Sequence, residues 1–184
     1  VVMVGFLALM LPTSSFAHTL HATDDTYVEA AAPPRGADTR IRVQGATRRG
    51  VVKFFLGTVP PGVTGADVGK ATVRAFVQRV ATPSMVNVHF VRAAWTEAVL
   101  AGAPPAHDAI AFTSFAVTAA DIGDYVTADV TLQVKDWLNG VGNFGLLFVG
   151  TGAKAVDFDS KEALGTSHPM EIEIELIGPP GPSG

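Results

Sequence analysis

The sequence predicts an all-β fold: an antiparallel β-sandwich or jelly roll with one short helix. Two observations carry this. Apolar and polar residues alternate with period two in many short segments, set apart by glycine and proline turns. A single segment, Val130 to Gly140, instead repeats its apolar residues every three to four positions. Many short strands with turn signals and one helix fit a sandwich of two packed sheets.

The strands are expected in the following order. Arg40-Ile41-Arg42-Val43-Gln44 alternates cleanly. Val51 to Leu56 is a compact apolar strand, closed by the Pro60-Pro61-Gly62 turn. Ala71 to Gln78 alternates again, with Val73 and Ala75 on one set. Met85 to Val91 sets Val86, Val88 and Phe90 against Met85, Asn87 and His89. Further strands are expected at Ala111–Val117, Tyr125–Ala128, Gly145–Val149, Val156–Asp159 and Glu171–Ile177. The last places its glutamates toward solvent and its isoleucines inward. Val130, Val134, Trp137 and Leu138 define the helix, with Asp129 as N-cap and Gly140 as stop. Trp137 is expected in the core.

The two ends differ in character from the middle. Val1 to Ala17 is apolar to Leu11, breaks at Pro12 and closes on Ser15-Phe16-Ala17, the small-x-small pattern before a cleavage site. Residues 1–17 are read as a signal peptide, which makes the protein secreted, extracellular or on the cell surface. The alternative is a buried segment of the mature fold. The stretch is shorter than the ~20 apolar residues of a spanning helix, so no membrane span is expected. Gly178-Pro179-Pro180-Gly181-Pro182-Ser183-Gly184 has glycine at every third position, the Gly-X-Y pattern of a collagen triple helix. Residues 178–184 are read as the start of a collagen-like tail or as a linker, and residues 18–177 as the folded domain. A collagen-like tail implies self-association as a trimer or filament.

Composition excludes several classes. With no cysteine there is no disulfide framework and no thiolate site. A net charge of −4, from 13 basic and 17 acidic residues spread evenly along the chain, does not point to nucleic acid. The Gly-x-Gly-x-x-Gly of residues 140–145 follows a helix and precedes a strand, the reverse of the dinucleotide-binding order, and is read as a turn. No Gly-x-Ser-x-Gly, His-Glu-x-x-His or phosphate-loop pattern occurs. The protein is therefore read as not an enzyme.

Several stretches, in order, resemble the DNRLRE domain, a family of extracellular β-sandwich modules related to disaggregatase and to carbohydrate-binding modules. They are Asp25-Thr26-Tyr27-Val28, Asp38 to Val43, Arg49 to Leu56 with Val59-Pro60-Pro61-Gly62, and Ala71 to Arg74. They continue with Trp95-Thr96-Glu97, Val130 to Gly140, Asn143 to Leu147, Ser160-Lys161-Glu162 and His168 to Ile172. The resemblance covers Asp25 to Ile177 and implies a jelly-roll-like sandwich used outside the cell, often in polysaccharide-binding or surface proteins. It also implies an opening strand at Asp25–Val28. Leu100-Ala101-Gly102 stands where the family often has a second tryptophan.

Two groups are candidate sites. Trp95 and Glu97 could bind a sugar, the indole by stacking, although a tryptophan on a sandwich also serves as a core anchor. Asp157, Asp159 and Glu162 offer hard oxygen ligands at alternating positions, and Asp24 and Asp25 could complete a calcium site with them. The competing reading of these acids is a solvated strand edge. His18 and His21 could hold Cu²⁺ or Zn²⁺ weakly, in a segment expected to be disordered.

Two Trp and two Tyr are a thin aromatic supply for sugar stacking. The sequence therefore favours a non-catalytic structural or adhesive module, the globular domain of a collagen-like surface or matrix fibre protein. The alternative is a polysaccharide-binding module of a secreted protein.

Overall fold

A computed structural model describes residues 16–178 apart from residue 154. Most of the expected leader and nearly all of the Gly-X-Y segment lie outside these residues. The described residues form ten strands and one α-helix: β1 (Phe16–Glu29), β2 (Arg40–Gln44), β3 (Arg48–Phe54), β4 (Val68–Val80), β5 (Ser84–Phe90), β6 (Thr113–Val117), β7 (Tyr125–Asp129), α1 (Thr131–Leu138), β8 (Leu146–Gly150), β9 (Ala155–Asp159) and β10 (Glu171–Leu176). All strand pairs are antiparallel. The all-β class with one short helix is as the sequence predicts.

Two long strands turn the corners of the sandwich. The first half of β1 pairs with β10, and its second half with β3. The pairing slips between Ala22 and Asp24, leaving Thr23 as the extra residue. β4 pairs with β10 and β7 along its first part and with β9 at its end, with a slip between Val77 and Arg79. Such bulges bend a strand and let it pass from one layer to the other. One layer runs β1–β3–β8–β5–β6, and the other is built on β4 with β7, β10, β9 and β2.

The layers meet on one apolar core, where Ile41, Val52, Phe54, Val73, Phe148, Phe158, Ile172 and Ile174 are buried. Gly50 permits the closest approach: a Cβ there would lie 2.6 Å from Ile41 Cγ2 across the layers. Alternation explains β10 directly, since Ile172 and Ile174 are buried while the glutamates between them reach solvent.

Where alternation fails, both faces of a strand are covered. Leu146, Leu147 and Phe148 of β8 are all buried. Leu146 and Phe148 face the core, while Leu147 joins Val51, Val91 and Trp95 in a second cluster. That cluster lies under the connection between β5 and β6, residues 91–112. The length of this connection puts it among loops that generally carry function.

The helix ends as expected, with one adjustment. Val130 takes the N-cap position, and the Asp129 carboxylate accepts the Thr131 N–H at 2.8 Å. Gly140, at φ +95°, ends the helical run. Trp137 is in the core. His18 and His21 are not disordered: they lie in β1, opposite Ile174 and Glu171. The period-two signal is weak there because His, Thr, Leu, His and Ala mix on both faces. The same strand extends over Phe16 and Ala17, opposite Leu176 and Glu175.

Candidate functional site

The structure separates the expected site residues into three places. Trp95 is 7% exposed, packs with Val51, Val91 and Leu147, and donates its indole N–H to the Phe144 carbonyl at 2.8 Å. Lys53 Nζ stands 5.2 Å from its ring centroid and bonds the Trp95 carbonyl. Its ring is thus enclosed rather than presented to a ligand. What Trp95 does is pin the long loop to the outer face of β3 and β8, which delivers Glu97 to a cluster of acids.

That cluster joins three segments distant in sequence: Asp25 on β1, Glu97 in the loop, and Lys161-Glu162 after β9. One carboxylate oxygen from each of Asp25, Glu97 and Glu162 lies within 4.8 Å of the other two. The Asp25 N–H donates to Glu97 Oε2 at 3.1 Å, and the Lys161 N–H donates to Asp25 Oδ2 at 2.7 Å. Lys161 Nζ pairs with Glu97 at 2.8 Å and also with Glu162. Burial pushes the Asp25 carboxyl up to about 7, with Glu162 adding to the rise and the Lys161 N–H opposing it. Lys161 is held above its ordinary value, because hydrogen bonds to Glu162 and Glu97 outweigh its burial. Asp24 is next door: it pairs with Lys53 at 2.8 Å, and its Oδ1 accepts the Glu97 N–H at 3.5 Å. Burial opposes its charge, and Lys53 outweighs it, leaving the carboxyl below its ordinary value.

Among the described residues Asp157 and Asp159 do not join that group of three, and they do not lie on a solvated edge. Both are buried. They share the outer face of β9, away from the acids at its end. Asp159 is 0% exposed and has His168 Nδ1 at 3.8 Å. Asp157 sits in a depression of about 470 Å³ among Arg40, Arg42, Arg48 and Arg79.

This depression is the feature that sequence reading missed. β2 carries Arg40 and Arg42 on the face opposite Ile41 and Val43, and the hairpin returns Arg48 beside Gln44. Arg79 comes from the far end of β4, opposite Asp157. Arg40 and Arg79 reach Asp157 at 3.3 and 3.6 Å, and Arg48 reaches Glu29 at 3.0 Å. Arg42 has no ion pair among the described residues; its guanidinium lies 5.6 Å from the Tyr27 ring centroid. Four guanidiniums thus face a pocket with one carboxylate, in a chain of net charge −4. The alternating arginines of Arg40-Ile41-Arg42 were the available signal. The even spread of charge along the chain concealed it.

The fold is thus an antiparallel sandwich with a cationic depression and, apart from it, a cluster of three acids of which Asp25 is buried. The chain belongs to carbohydrate-binding module family 96, whose family model matches residues 17–174. That family is one of binding modules rather than catalysts, and membership favours the polysaccharide-binding alternative over the structural and adhesive reading. No curated protein matches the chain significantly. No helix among the described residues is long and apolar enough to cross a membrane.

Proposed function

We propose that the module binds an acidic polysaccharide, with the arginine-lined depression of β2, β9 and the end of β4 as its contact surface. The family supports carbohydrate binding, and the four guanidiniums around one carboxylate support an anionic sugar. A planar guanidinium presents paired N–H donors that match a carboxylate or sulfate. Arg42 has no ion pair among the described residues, so its guanidinium is left to meet a ligand in the depression. Both tryptophans are buried, which removes the usual stacking platform for a neutral glucan. Binding on this reading depends on charge.

An extracellular setting belongs to the same reading, since such polymers lie outside the cell. Self-association through a collagen-like tail would multiply weak sites by avidity. The test is affinity electrophoresis and calorimetry against a polyuronate, a sulfated galactan and a neutral glucan. Retention by an acidic polymer and not by the glucan is expected. Replacing Arg42 and Arg79 together by alanine should weaken binding by roughly 10–100-fold, the scale of one or two charge-assisted hydrogen bonds. Equal binding of the neutral polymer, or an unchanged double variant, would exclude this surface.

A further inference from the structure

We propose that Asp25, Glu97 and Glu162 form a calcium site that clamps β1, the long β5–β6 loop and the connection after β9. Three carboxylates from separate segments converge, and their nearest oxygens fall within 4.8 Å of one another. Calcium–oxygen bonds of about 2.3–2.6 Å place ligands on opposite sides of the ion roughly 4.6–5.2 Å apart. The observed spread therefore suits calcium without movement of the carboxylates themselves. Magnesium, at about 2.0–2.1 Å, needs a tighter octahedron.

An independent observation points to a ligand. The Asp25 side chain is almost wholly buried, with the residue 1% exposed, and its Oδ1 has no hydrogen-bond partner. Glu162 Oε2 is likewise buried and unpartnered. Unpaired buried carboxylate oxygens are costly, and a cation between them removes the cost. The other oxygen of Asp25 is fixed by the Lys161 N–H, and Glu97 is fixed by the Asp25 N–H, so the acids are held in place by backbone. Gly36 packs against Glu97 so closely that a Cβ would lie 2.7 Å from Glu97 Cβ. Beside the acids, a cavity of about 390 Å³ lined by Pro34, Gly36, Glu97 and Glu162 leaves room for water to complete the coordination sphere.

Lys161 is the competitor. Its single ammonium bonds Glu97 and Glu162, and so answers three carboxylates with one charge. It sits at the end of a flexible, partly exposed stem, so it can swing to solvent when calcium enters. This gives a test that a plain salt-bridge network fails. The full chain, stripped with a chelator, is titrated with CaCl₂ and separately with MgCl₂, by calorimetry and by thermal unfolding. The expected result is one calcium site with a Kd of about 0.1–1 mM or tighter, as in extracellular modules. At calcium about 100-fold above Kd the unfolding midpoint should rise by roughly 5–10 °C, and magnesium should do much less. Asp25→Asn and Glu162→Gln should each weaken calcium by about tenfold or more, as fewer charged ligands remain. Glu162 is partly exposed, so its variant serves if the Asp25 variant does not fold. Lys161→Met should bind calcium at least as tightly as the parent. No heat and no midpoint shift in the parent, calcium affinity unchanged in Glu162→Gln, or calcium binding abolished in Lys161→Met would each overturn the proposal.

Discussion

The indole of Trp95 gives its N–H to the Phe144 carbonyl and packs against Val51 and Leu147, so its value is to the fold. Trp95→Ala should destabilise the protein by about 3–5 kcal/mol, the cost of emptying a large buried site. Trp95→Phe keeps most of the packing and should cost far less, which a pair of urea titrations would show. A stable, fully folded Trp95→Ala protein would mean that the loop is not anchored there. Asp129 acts through charge at the start of α1. Side-chain and backbone hydrogen bonds from Thr131 hold its carboxyl below the ordinary 3.8. A folded-state value below the unfolded one favours the native state above pH 3.8, and that contribution is lost as pH falls through the folded value. Asp129→Ala should therefore cost about 1 kcal/mol at neutral pH. Its deficit against the parent should shrink below pH 3.8, measured by denaturant melts across pH. A deficit independent of pH would remove charge from the explanation.

At the scale of elements, the sandwich depends on how closely β2 approaches β3. Gly50 lies against Ile41 and Val43, with no space for a methyl group. Gly50→Ala should destabilise by about 1–3 kcal/mol through overpacking, visible as a lower denaturation midpoint. Ile41→Ala should cost less in the Gly50→Ala chain than in the parent, a partial rescue, because it removes the Cγ2 that the new methyl group meets. Failure of that rescue would mean that the strain lies elsewhere. The nine strands read from alternation are present, with ends shifted by a few residues. β1 is different. Its first half showed no clean period, because Thr19, Leu20, His21 and Ala22 do not separate into apolar and polar faces. Only the resemblance marked Asp25–Val28, and the strand is far longer than that, since it serves both layers and is bent by a bulge.

At the scale of the whole molecule, charge is segregated rather than diluted. A net charge of −4 coexists with four arginines around one depression. If this face binds a polyanion, raising salt from about 0.05 to 0.5 M should weaken binding steeply, as the screening length falls below about 5 Å. Affinity for a polyuronate insensitive to salt would separate binding from this face. The sequence by itself determined the all-β class, the strands whose two faces differ in polarity, the one helix with its stop, and Trp137 in the core. These follow from local periodicity, which each segment carries within itself. Only the tertiary structure decided that Trp95 is enclosed, that Asp25 meets Glu97 and Glu162 while Asp157 and Asp159 go elsewhere, and that Arg79 joins the arginines of β2 and β3. Those juxtapositions link residues tens of positions apart. They depend on which strands pair and where β1 and β4 change layers, and such long-range pairing leaves no periodic trace in a single chain.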